Sequence, residues 1–184
     1  MSRDIADTSK TMILGVGNLL MRDEGIGVHA AVNLQGFPLP GHIEVIEGGT
    51  DGFRLFNLII GASRLIVVDC VKGGDAPGSI YRFGLDDYDH FPDIYKTSVH
   101  QIGIDEVITL SGTISTPPET TFIGVEPEEI FMSMELSDTI RSKLPKVMEI
   151  ALETAGLDPG EYRKNLGPPF IQPGPRYPEW NSDS

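Results

Sequence analysis

The sequence is poor in the residues that build disulfide frameworks, basic surfaces and membrane spans. Cys70 is its single cysteine, so no intramolecular disulfide can form and nothing points to an oxidising compartment. Lys and Arg number 14 against 27 Asp and Glu, a formal net charge of -13. Such a chain is unsuited to the phosphates of nucleic acid and to an anionic membrane surface. It suits a cationic ligand or a basic partner segment. No apolar run approaches the roughly 20 residues of a membrane span. The opening MSRDIADTSK carries charge where a signal peptide needs an apolar core. A cytoplasmic location is expected.

Several catalytic signatures are missing as well. There is no Gly-x-Ser-x-Gly elbow for a nucleophilic serine, no His-Glu-x-x-His zinc helix and no Gly-Lys-Ser/Thr phosphate loop. No Asp-Thr-Gly marks an ordinary aspartic protease. A dinucleotide loop fails on spacing. Gly15 and Gly17 fit, but Leu20 stands at the third glycine position and the acidic pair Asp23 and Glu24 follows, where two anions would repel a pyrophosphate.

What is present is a regular alternation of short apolar runs with helical periodicity. Met12–Val16, Ile43–Ile46, Arg64–Val68 and Thr120–Val125 read as strands, and Ser79–Phe83 as an edge strand. The third is apolar throughout, as strands covered on both faces are. Gly25–Leu34, Phe53–Ile60, His100–Leu110 and Ser137–Leu152 read as helices, with Thr50 or Asp51 capping the second. Asp86–Tyr95 is an acidic, aromatic loop. The expected fold is α/β: a single domain with a twisted, mostly parallel sheet sandwiched between helices. Residues 1–11 form an N-terminal extension, 12–156 the domain and 157–184 a Pro-rich tail expected to be extended or disordered. Removing Gly167–Ser184 is then expected to leave thermal stability nearly unchanged, with Phe170, Ile171 and Trp180 as the residues able to dock.

In such folds ligands sit at the carboxyl ends of the strands, so the residues there are the candidates. The glycines after the first strand bring Asp23 and Glu24 to a helix start, where each acid has a simpler role complementing the helix dipole. Asp69 closes the third strand; an acid in an apolar run must be hydrogen-bonded, paired or metal-bound. Cys70, its neighbour, points to the opposite face and reads as a buried inert thiol. Of the four histidines, His29 is expected on the surface, His42 in a turn and His90 in the acidic loop. His100 opens a helix. Glu24, Asp69 and His100 all lie at strand–helix junctions facing one sheet edge, and two carboxylates with one imidazole make an open metal site. Asp23 and Asp69 are alternatively a carboxylate pair acting on water.

The segment Ile13–Gly27, followed by Glu47-Gly48-Gly49-Thr50, Val68-Asp69, Ser98-Val99-His100-Gln101 and Ile123-Gly124-Val125-Glu126-Pro127, resembles the hydrogenase maturation endopeptidases. Glu47 departs mildly, since many relatives carry Asp there. The resemblance runs from Met12 to about Ala155 and leaves out the Pro-rich tail. It implies an α/β domain and a protease that removes the C-terminal extension of a nickel-iron hydrogenase large-subunit precursor once nickel is inserted. It implies that Glu24, Asp69 and His100 contact the metal, that Glu24 and Asp69 carry the catalytic step, by an aspartic-type or metal-dependent route, and that nickel comes with the substrate rather than as a resident cofactor. The implied partner is the nickel-loaded precursor. A non-catalytic nickel-binding assembly chaperone using the same ligands is the alternative, and a nucleotide-binding α/β enzyme a third.

Overall fold

The computed structural model describes residues 10–50, 52–90, 104–168, 170, 171 and 173. The elements run β1 (Thr11–Val16), a 3-10 turn (Arg22–Gly25), α1 (Ile26–Leu34), β2 (Ile43–Gly49), α2 (Gly52–Ile59), β3 (Arg64–Cys70) and β4 (Ile80–Gly84). A second 3-10 turn (Leu85–His90), α3 (Ile104–Ser111), β5 (Glu119–Val125), α4 (Asp138–Thr154) and a third 3-10 turn (Pro159–Tyr162) follow. The five strands lie in the order β2-β1-β3-β5-β4. The first four are parallel, with Thr11 aligned to both Ile43 and Arg64, and β4 runs antiparallel along β5 at the edge. Among the described residues no helix is long and apolar enough to cross a membrane.

Side chains alternate along each strand, and this splits the core in two. Ile13, Ile66, Val68 and Ile123 pack against Ile26, Leu34, Ile140 and Met148 of α1 and α4. Met12, Leu14, Leu65, Val67 and Phe122 pack against Leu55 and Ile59 of α2 and Val107 and Ile108 of α3. Cys70 falls in the first layer with Ile66 and Val68, the face opposite its neighbour Asp69 by the same alternation.

From β1 the chain moves outward to β2, then returns across β1 to β3. The carboxyl ends of β1 and β3 therefore flank the topological switch point, where open parallel sheets form their crevice. Two glycines let the first turn press into it. A Cβ on Gly27 would lie 2.1 Å from the Val68 carbonyl oxygen and 2.2 Å from that of Val16. One on Gly17, whose φ is +129°, would lie 2.0 Å from the Glu24 carbonyl oxygen.

Two expectations fail. His29 is not on the surface: every residue of α1 is buried, His29 at 2% exposure, because α1 packs against both the sheet and α4 in the first core layer. The stretch after Gly156 is not simply extended. The turn Pro159–Tyr162 is capped by Asp158, whose carboxylate accepts the Gly160 N–H at 2.8 Å. Tyr162 is buried and stacks on Phe37 at 6.0 Å between ring centres. Phe170 packs against the α1/α4 core. The Asn33 side chain then grips Ile171 at both ends of its peptide, accepting the N–H at 2.7 Å and donating to the carbonyl at 3.0 Å.

The expected effect of truncation reverses accordingly. Deleting residues from Gly167 onward removes the Phe170 packing and leaves the Asn33 amide, which is 7% exposed, with two lost bonds. A loss of about 2 kcal/mol is expected, read as a melting temperature lower by roughly 4–8 °C for a domain of this size. An unchanged melting temperature would show the strap to be dispensable.

Candidate functional site

Asp23 and Glu24 are presented by the 3-10 turn between β1 and α1, and Asp69 by the end of β3. All three are buried: Asp23 at 0%, Glu24 at 4% and Asp69 at 6% exposure. Gly17 sits between the last two, since a Cβ there would lie 2.0 Å from the Glu24 carbonyl oxygen and 3.6 Å from Asp69 Oδ1. All three acids act on the neighbouring Cys70. Burial pushes the Cys70 thiol well up, and the charges of Asp69, Glu24 and Asp23 push it further. A thiol so disfavoured as thiolate is a poor nucleophile or metal ligand, in line with the inert role read from sequence.

The acids differ in what they do. Asp69 Oδ1 accepts the Cys70 N–H at 2.7 Å. Asp23 is occupied on both oxygens. Oδ1 accepts the Ser137 N–H at 2.7 Å, and Oδ2 accepts the N–H groups of Glu128 at 3.0 Å and Glu129 at 2.8 Å and the Ser137 hydroxyl at 2.9 Å. Ser137 Oγ in turn accepts the Ile140 N–H at 3.3 Å as N-cap of α4. Asp23 thus ties the turn that carries Glu24 to the β5–α4 loop and to the start of α4. A carboxylate already accepting four hydrogen bonds is a weakened base for water, which argues against Asp23 and Asp69 as a water-activating pair.

His100 and the surrounding residues 91–103 lie outside the described residues, as does Asp51. Of the three expected ligands, the structure describes Glu24 and Asp69, with the backbone of the Glu24 turn lying beside the Asp69 carboxylate across Gly17. Among the described residues no group of three His, Cys, Asp or Glu side chains is arranged to hold a metal ion. His42 is exposed at the start of β2, remote from this edge.

Glu126 is a site-edge residue that the sequence reading passed over. It is 7% exposed and accepts the N–H groups of Gly73 at 2.6 Å and Gly74 at 3.1 Å and the Tyr81 hydroxyl at 2.8 Å. Burial and this hydrogen bond raise the Tyr81 phenol above its ordinary range. The effect is to pin the loop that leaves β3 just after Asp69. The signal was available: Glu126 follows an apolar strand as Asp69 ends one.

His29 lies behind this turn. Burial pulls its imidazole down from 6.5 to about 4, against the hydrogen bond to the Met134 carbonyl and aided by Arg141, with Asp23 opposing. Nε2 has no hydrogen-bond partner among the described residues. The unfolded chain takes up this proton near 6.5 and the folded one only near 4. The stabilising contribution is therefore complete above about 6.5, falls as the pH drops, and levels off below about 4. The amount at stake is on the order of 3 kcal/mol. Urea midpoints measured across this range should fall with acid in the wild type and fall less in His29→Gln. Equal slopes would exonerate the imidazole.

The comparisons with known proteins agree with this geometry. The model of the family described as hydrogenase maturation protease matches residues 28–154. The hydrogenase 2 maturation protease of Escherichia coli is 32% identical over 157 residues, covering 81% of this chain and 94% of that protein. The hydrogenase expression/formation protein HupD of Thiocapsa roseopersicina is 34% identical over 145 residues, covering 77% of this chain, and this chain spans 66% of its length. Among solved structures, the hydrogenase maturating endopeptidase HybD from E. coli superposes with a TM-score of 0.71 at 29% identity, over 81% of this chain and 95% of that one. The [NiFe] hydrogenase maturation protease HybD from Thermococcus kodakarensis does so at 0.66 and 31% identity, over 79% and 99%. With a five-stranded α/β sheet, an acid on each side of its switch point and a family match over most of its length, this chain belongs to the hydrogenase maturation protease family.

Proposed function

We propose that this protein is the endopeptidase that removes the C-terminal extension of a nickel-iron hydrogenase large-subunit precursor after nickel insertion, acting in the cytoplasm. The observation that carries the reading is the pair of buried carboxylates, Glu24 and Asp69, flanking the switch point of a chain of this family. Glu24, Asp69 and His100 are the residues we assign to the metal, with Glu24 and Asp69 also serving catalysis. Nickel is cargo in this scheme. It arrives on the thiolates of the precursor, and two carboxylates and an imidazole complete a mixed donor set that suits nickel better than magnesium or calcium.

Seating the nickel at the sheet edge fixes the extension across the two acids. One carboxylate takes a proton from water as the water oxygen attacks the scissile carbonyl. The C–N bond then breaks and the proton passes to the leaving amine. An acidic crevice by itself gives little hold on a precursor without the metal, so metal capture supplies the selectivity.

The test is to incubate nickel-loaded and nickel-free precursors with the protein and measure their masses. A shortened product from the loaded precursor alone is expected. Efficient cleavage of the nickel-free form would sink nickel recognition. Binding of the loaded form with no change of mass would identify a non-catalytic nickel-binding assembly chaperone instead.

A further inference from the structure

The connection from β5 to α4, Glu126–Ser137, is long for a strand-to-helix loop and yet firmly held. Beyond the Asp23 clamp, its Ser133 bridges Met21 in a short parallel pairing: the Ser133 N–H donates to the Leu20 carbonyl at 3.0 Å, and the Arg22 N–H to the Ser133 carbonyl at 2.7 Å. Leu20 and Met132 directly precede the two bridged residues, one on each segment. Beside them the Arg22 guanidinium lies 4.8 Å over the Phe131 ring. Leu20, Phe131 and Met132 are 56%, 49% and 84% exposed. Their exposure does nothing for the core, and a long ordered loop that holds apolar side chains in water beside a candidate site is built to present a surface.

We propose that Leu20, Phe131 and Met132 are the docking surface for the folded body of the substrate protein, a partner presenting an apolar patch with a basic rim. This rests on the function proposed above and adds to it where the precursor's bulk sits while its extension enters the site. Continuity argues for that occupant: Leu20 is four residues from Glu24, and the Glu24 N–H donates to the Met21 carbonyl at 3.2 Å, so the patch adjoins the turn that carries Glu24. Charge argues for the rim. Glu128, Glu129 and Glu135 stand exposed around the patch, with Arg22 paired to Glu129 and Arg141 to Glu135, which leaves the rim net acidic in a chain of charge -13.

The test is steady-state kinetics on the nickel-loaded precursor with Leu20→Ser/Met132→Ser, Met132→Lys and Met132→Glu, each of unchanged melting temperature. The double variant should raise KM about tenfold or more with kcat within about twofold of wild type, the pattern of lost uniform binding. Met132→Lys should raise KM more than Met132→Glu, because the facing rim is basic. A wild-type KM in the double variant, when the wild type cleaves, overturns the proposal while the protease reading stands. If the wild type does not cleave, the protease reading fails, and equal affinity of wild type and double variant for the loaded precursor overturns the docking surface separately. A wild-type dimer that these variants dissociate, with KM unchanged, would assign the patch to a second copy of this chain and overturn it too.

Discussion

Asp69→Asn is expected to lower the rate of precursor processing by about 10²–10⁴-fold, the range a positioned acid–base group contributes, with the fold retained. The amide is nearly isosteric, and its oxygen can keep the 2.7 Å bond from the Cys70 N–H, so that contact at the strand end survives. What disappears is the negative charge, and with it both the capacity to take a proton from water and much of the attraction for a cation. The measurement is single-turnover cleavage of the nickel-loaded precursor followed by mass, with a thermal melt of the same sample. Loss of activity at an unchanged melting temperature supports a chemical role. A second signature is available in Cys70, whose thiol is held up in part by the Asp69 charge. Removing that charge should shift the thiol downward, making Cys70 somewhat easier to alkylate in Asp69→Asn than in the wild type. Processing at the wild-type rate in Asp69→Asn would remove Asp69 from the site.

The placement of Asp69 was legible in the sequence because a charged residue at the end of an apolar run has few ways to exist. The strand order was less so, but alternation of strands and helices sufficed for the parallel sheet, and the alternating run Ser79–Phe83 foretold an edge strand, found at Ile80–Gly84 and running antiparallel. Strand ends ran short: β3 extends through Asp69 to Cys70 and β2 through Gly49, because pairing with β5 and with β1 respectively overrides the turn propensity of the terminal residues. His29 was misread because a histidine on a helix is usually solvated, and only the packing of α4 over α1 buries it. The strap after Gly156 was misread because proline density says the segment cannot be regular, while Tyr162, Phe170 and the Asn33 grip dock it without regularity. Asp23 and Glu24, adjacent and chemically alike, are told apart in the sequence only by the family resemblance, which assigns the metal to Glu24. Their division of labour depends on Ser137, 114 positions away, a partner that no local pattern reveals.

Asp23→Ala is expected to destabilise the fold by about 3–5 kcal/mol, the largest stability effect anticipated for a single substitution here. Four donors converge on this carboxylate, and hydrogen bonds to a charged acceptor contribute about 1.5–3 kcal/mol each before relaxation. The Glu128 and Glu129 N–H groups belong to exposed residues and can recover water, which holds the total below the simple sum. The Ser137 N–H belongs to a residue 1% exposed and cannot. For a chain of 184 residues the expected fall in melting temperature is roughly 10 °C. Ser137→Ala removes one of the four bonds and the N-cap of α4, at a cost of about 1–2 kcal/mol. Because the two side chains touch, the double variant should be less destabilised than the singles added together, by about 1 kcal/mol or more. Denaturant unfolding of the four proteins gives that coupling directly. Additive losses, or a penalty for Asp23→Ala under about 1 kcal/mol, would mean that the clamp between the Glu24 turn and the start of α4 does not hold the site together.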